Sequence, residues 1–104
     1  MAILFHSGIT TNTDGNSKKV PDDVGAFTVQ VDFATAVPTT ATITLQGSLN
    51  NSTWLDLGST TDVSAVTVGF SVADKPVKYI RANLTNYSAG SCTGVTILTE
   101  VGED

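Results

Sequence analysis

Apolar and polar residues alternate with a period of two along most of this chain. Phe27, Val29, Val31 and Phe33 fall on one side of an extended segment, and Thr28, Gln30 and Asp32 on the other. Ala41, Ile43 and Leu45 alternate with Thr40, Thr42, Thr44 and Gln46; Val66, Val68, Phe70 and Val72 alternate with Thr67, Gly69 and Ser71. Ile80, Ala82 and Leu84 share a face, and Val95, Ile97 and Val101 form a last stripe. This is the period of half-buried β-strands, and few windows show the 3.6-residue period of a helix. Turn signals separate the runs: Pro38-Thr39, Asn50-Asn51-Ser52, Gly58-Ser59, Asp74-Lys75-Pro76 and Asn86 to Gly90. Short alternating strands with regular turns predict an all-β fold, an antiparallel β-sandwich of roughly six to eight strands without a substantial helix.

The first 25 residues are different. They are polar, rich in Gly and Asx, and weakly patterned, which predicts an arm or loose hairpin (1–25) ahead of a single sandwich domain (26–104). Asp14-Gly15 is the pair that best suits a hairpin turn. The acidic tail, residues 100–104, is expected to fray.

At 104 residues the chain supports one core. Charged residues are only 14% of it, and Thr, Ser, Asn and Gly fill the deficit, as strands and turns require. The net charge is −5 and the five basic residues are scattered in sequence, which argues against nucleic acid, whose binding needs clustered Lys and Arg. No apolar run approaches a membrane span and no signal peptide is visible, so no membrane role is expected. The four Asn-x-Ser/Thr sequons, at Asn50, Asn51, Asn83 and Asn86, follow from the Thr- and Ser-rich composition.

Candidate chemistry is thin. Cys92 is the single cysteine, so an intrachain disulfide is excluded, and the lone His6 lies far from it in sequence. Asn12, Asp14, Asn16 and Asp23 faintly follow a calcium-loop spacing, but Ser17 stands where that loop needs glycine. Asp32 and Asp56 are strand carboxylates that nothing in the sequence brings together. No phosphate loop or nucleophile elbow is present. The expectation is a protein without enzymatic activity, cofactor or metal.

Trp54 raises the sharpest question. In WLDLGS, Trp54 and Asp56 share one face, and Leu55 and Leu57 the other. Two leucines facing the core put Trp54 on the outer face or the rim; a core Trp54 requires the strand's end or a bulge to rescue Leu57. We expect Trp54 to cover an end of the sandwich, with sugar stacking or a subunit interface as alternatives.

The segments TATITLQGSLNNSTWLDLGS and GFSVADKPVKYIRANLTNYSAGSCTGVTILTEV together resemble small β-sandwich, jelly-roll-like structural proteins of tailed bacteriophages. The matching residues are 45–49, 53–58 and 78–85, and the likeness extends over residues 26–101. The resemblance implies a virion protein. Its first implied role is a decoration (cement) protein that binds major capsid protein subunits, stabilises the capsid surface and forms a homotrimer. A carbohydrate-binding or structural module of a tail or fibre comes second. The implied location is the capsid surface of the virion, after synthesis in the host cytoplasm. A glycan is not the favoured partner.

Ile3, Leu4, Phe5 and Ile9 are the apolar residues that could anchor the arm on a partner, and Trp54 and Tyr87 adjoin predicted turns as rim candidates. Lys78 and Arg81 are expected to be solvated. Under this reading, deleting residues 2–9 leaves the sandwich folded.

Overall fold

The computed structural model describes residues 2–21 and 24–103. It is built from strands β1 (Ala2–Ile9), β2 (Lys18–Lys19), β3 (Val24–Phe33), β4 (Thr40–Ser48), β5 (Leu55–Thr60), β6 (Thr67–Val72), β7 (Tyr79–Ser88) and β8 (Val95–Glu103). They form two four-stranded antiparallel sheets, ordered β1-β8-β3-β6 and β2-β7-β4-β5. Only β4 and β5 are consecutive strands of one sheet; every other connection crosses between sheets. This is the strand order of a jelly roll.

The fully buried side chains sit where both faces of the architecture demand them. Phe27, Val29, Val31 and Phe33 of β3 and Val95, Ile97 and Val101 of β8 face Ala41, Ile43 and Leu45 of β4 and Ile80, Ala82 and Leu84 of β7. These are the central strands of the two sheets, and their inner faces make one core. The apolar stripe of β6 follows the same alternation, but β6 lies at a sheet edge. Val68, Phe70 and Val72 are therefore only half-buried, and Val66 is 49% exposed.

The amino-terminal residues are part of the sandwich in the isolated chain. β1 pairs with β8 from Ala2↔Glu100 to Ile9↔Val95, with register shifts on either side of His6. His6 is buried, and its Nε2 lies 2.8 Å from the Ala82 carbonyl of the opposite sheet. The reason lies in the neighbouring ladder. Thr13 bridges Leu84 and Lys18 pairs with Ile80, but between them no backbone donor of the described residues reaches the Ala82 carbonyl. An Nε2–H on the imidazole supplies the missing donor. Residues 10–17 thus carry the chain from one sheet to the other, and Asp14-Gly15 is not a hairpin turn. At the other terminus β8 continues to Glu103, paired with Val24, where fraying had been expected from Glu100.

Thr99 interrupts the apolar stripe of β8 inside the core. It is fully buried between Ile3 and Val29, and its hydroxyl has no hydrogen-bond partner. Leaving such a group unsatisfied costs about 1–3 kcal/mol. Thr99→Val keeps the shape and removes that group, so it is expected to raise stability by about 1 kcal/mol in urea unfolding. A loss of stability would show that the hydroxyl has a partner in solution.

Candidate partner-binding surfaces

The six residues singled out in the sequence do not form one site. Ile3, Phe5 and Ile9 lie on β1, half-buried and packed against the core. Only Leu4 points outward, 56% exposed. Three of the four anchors are thus already used by the chain's own sandwich. Trp54 and Tyr87 stand at opposite ends of the second sheet, because Ser48, the residue that closes β4 beside Trp54, pairs with Tyr79, and Tyr87 is at the far end of β7.

Trp54 precedes β5 and lies on the outer face. The register explains how. Gln46 pairs with Asp56, but Leu45 pairs with Gly58, so a bulge at Leu57 adds one residue to β5. Leu57 packs on the core, with its Cδ1 over Gly47, where a glycine leaves room. Asp56 and Trp54 stay outside, and Leu55, at the open end of the strand, is 60% exposed.

Across β4 the Arg81 guanidinium carbon sits 4.4 Å from the centroid of the Trp54 ring. Its Nε–H donates to Gln46 Oε1 at 2.8 Å, and Asn83 Nδ2 donates to the same oxygen at 2.8 Å. Gln46 Nε2 donates to Asp56 Oδ1 at 2.7 Å, and Gly15 N–H donates to Asn83 Oδ1 at 3.0 Å. Arg81 is therefore committed to a stack and a network on the outer sheet face. A cation on an indole at such a site contributes about 0.5–1 kcal/mol. The stack covers one face of the indole.

Next to Trp54, the β4–β5 loop is fixed by one side chain. Asn50 Oδ1 accepts from Ser48 Oγ at 3.1 Å, Ser52 N at 2.9 Å and Thr53 N at 2.9 Å. Asn51 takes a left-handed conformation at φ 59°, which Asn tolerates. Leu49 is 63% exposed and, with Asn50, Thr53 and Leu55, lines a shallow notch of about 260 Å³.

At the opposite end, Tyr87 is turned inward. Thr42 pairs with Thr85 and Thr40 with Ser88, so β7 carries an extra residue there, and Asn86 absorbs it at φ 54°. The Tyr87 hydroxyl is buried without a partner beside Cys92, whose Sγ–H goes to the Gly94 carbonyl at 3.3 Å. Burial pushes the Tyr87 phenol up to about 12, and the neighbouring Cys92 adds to the shift. The folded chain keeps this proton up to about pH 12, while the unfolded chain releases it near pH 10. Stability from this group is complete below pH 10 and falls between about pH 10 and 12. Tyr87→Phe should flatten that part of the decline in urea midpoints measured against pH. Identical alkaline slopes for the two proteins would refute it.

Among the described residues, the candidate groups named in the sequence are each held by separate partners. His6 and Cys92 are each bonded to a different backbone carbonyl. Asp32 accepts from Gln30 and Thr67 on the first sheet, while Asp56 is held by Gln46 on the second. In the calcium-like spacing, Asn12 Oδ1 accepts from Tyr87 N–H at 2.9 Å, and Asp23 lies outside the described residues. Among the described residues no three of His, Cys, Asp and Glu come together as metal ligands, and no helix is long and apolar enough to cross a membrane.

No family model matches the chain, and no curated protein matches it in sequence. Among solved structures, the SPBc2 prophage-derived protein YomS is similar, with a TM-score of 0.65 over 97% of this chain and 89% of that one, at 13% identity. At that identity the likeness is one of fold, and it spans nearly the whole of both chains: the two share an antiparallel β-sandwich architecture.

Proposed function

We propose that this chain is a non-enzymatic structural protein of a phage virion, which binds the capsid surface and stabilises it. The observation that carries the reading is the end-to-end likeness of fold to a prophage-derived protein. It agrees with the phage-protein resemblance in residues 26–101. Fold alone does not assign a role, so the site must bear the rest. The surfaces of this sandwich offer hydrogen-bonded polar faces and an exposed apolar pair, Leu49 and Leu55, at the base of the β4–β5 loop that Asn50 fixes, suited to contact with a protein surface.

The test is co-sedimentation of the purified chain with heads and, separately, with tails of the phage whose genome encodes it. Saturable binding to heads, with a higher temperature of capsid disruption, is the expected result. Binding to tails alone would transfer the chain to the tail or fibre reading, and binding to neither would overturn a virion role.

A further inference from the structure

Each sheet of a sandwich has two edges, and exposed edges invite pairing with other chains unless something blocks them. Three of the four edges here carry a block. β1 is broken by register shifts around His6 and by Gly8 at φ 64°. β2 is two residues long, and both are lysines. β5 has the bulge at Leu57 and the charge of Asp56. The fourth edge, β6, pairs with β3 from Phe27↔Val72 to Asp32↔Thr67 without a register shift, and TVGFSV contains neither charge nor proline.

The backbone of β6 is also poised outward. Phe33 N–H donates to the Val66 carbonyl at 2.7 Å, so Val66, Val68, Phe70 and Val72 are the residues that bond to β3. In an antiparallel ladder the intervening residues turn their N–H and C=O groups to the other side. Those of Thr67, Gly69 and Ser71 therefore point away from β3, along the free edge.

The sequence of this edge reads the same in both directions by residue type. From Val66 to Val72 it runs apolar, hydroxyl, apolar, glycine, apolar, hydroxyl, apolar. We propose that β6 pairs antiparallel with β6 of a second copy of this chain, about a two-fold axis through Gly69. That register sets Gly69 against Gly69, Thr67 against Ser71, Val68 against Phe70 and Val66 against Val72. Each outward backbone group then meets its complement. Each half-buried apolar side chain of β6 also meets another across the seam, on the inner side of a continuous sheet. A two-fold contact is isologous and needs this self-complementarity. An unrelated partner strand would not require the palindrome. The contact builds dimers, in place of the homotrimer that the phage-protein resemblance implies, and it is independent of any role in a virion.

The experiment is sedimentation equilibrium of the full chain over a range of concentrations, with two charged variants. Thr67 and Ser71 are exposed on the outer face, so Thr67→Lys/Ser71→Lys and Thr67→Glu/Ser71→Glu leave the core intact; circular dichroism confirms the fold. In the proposed register each variant sets like charges opposite one another, and its self-association should weaken by about tenfold or more. Mixing the two variants sets Lys against Glu and should restore a heterodimer. A wild-type chain that stays monomeric or forms trimers, variants that dimerise as well as wild type, or a mixture that fails to recover dimer would each overturn the proposal.

Discussion

Removing residues 2–9 is expected to cost this protein most of its stability. The segment is a paired strand, and its loss exposes one side of β8 along its length. Ile3, Phe5 and Ile9 are half-buried against the core. Half-burial of a side chain of that size contributes roughly 1 kcal/mol, so the three contribute about 3 kcal/mol. His6 adds a hydrogen bond to the Ala82 carbonyl, and removing a buried donor costs a further 1–3 kcal/mol or so. The total, about 4–6 kcal/mol, compares with the 5–15 kcal/mol that typically separates folded from unfolded domains. Urea unfolding of the truncated chain should therefore show a midpoint far below that of the full chain, or no cooperative transition. A midpoint unchanged within error would restore the reading of these residues as a dispensable arm.

Why this segment reads as an arm is visible in its residues. Ile3 and Phe5 begin an alternation, but the register shifts around His6 and the left-handed Gly8 break it before Ile9 can extend it. A strand with two irregularities in eight residues has no clean period. By contrast, the stripes of β3, β4, β7 and β8 are legible because those strands are central, and their two faces meet different media. The order of the strands is not legible. Apart from β4 and β5, consecutive strands of this jelly roll lie in opposite sheets, so its pairings join residues such as Ala2 and Glu100 that share no local signal.

The same distinction runs through the candidate surfaces. The parity of Trp54 with Asp56 leaves both registers open, and the bulge at Leu57 decides between them: Leu57 turns onto the core while Trp54 and Asp56 stay outside. The partner of the indole was hidden. Arg81 alternates with Ile80 and Ala82 and so faces outward, which reads as a solvated charge. Only the adjacency of β5, β4 and β7 brings it over the ring. Tyr87 was misplaced for a similar reason: simple alternation from Ile80 through Leu84 puts residue 87 outside, and the extra residue at Asn86 reverses it.

Gly15→Ala should be among the most damaging single-methyl additions in the protein. Gly15 is buried in the crossing between the sheets, and a Cβ there would run into the Ala82 backbone, first of all its carbonyl oxygen. That oxygen is the one His6 bonds at 2.8 Å, and the Gly15 N–H is itself held by Asn83 at 3.0 Å. The backbone of a central strand does not yield as a flexible side chain would. The crossing segment must therefore move out, and the Gly15 hydrogen bond to Asn83 is lost with it. Overpacking of this kind costs about 1–3 kcal/mol, and the lost bond about another 1 kcal/mol, so an overall loss of about 2–4 kcal/mol is expected. Gly8→Ala is the control. Gly8 also needs its glycine, but for a different reason: φ is 64° and nothing lies within 4 Å of an added Cβ. Its substitution should cost only the left-handed backbone penalty of about 1–2 kcal/mol. Urea unfolding of the two variants separates the effects. A markedly larger loss at Gly15 shows the crossing segment packed tightly against the β7 backbone at Ala82. Equal losses would mean that residues 13–17 move aside without consequence.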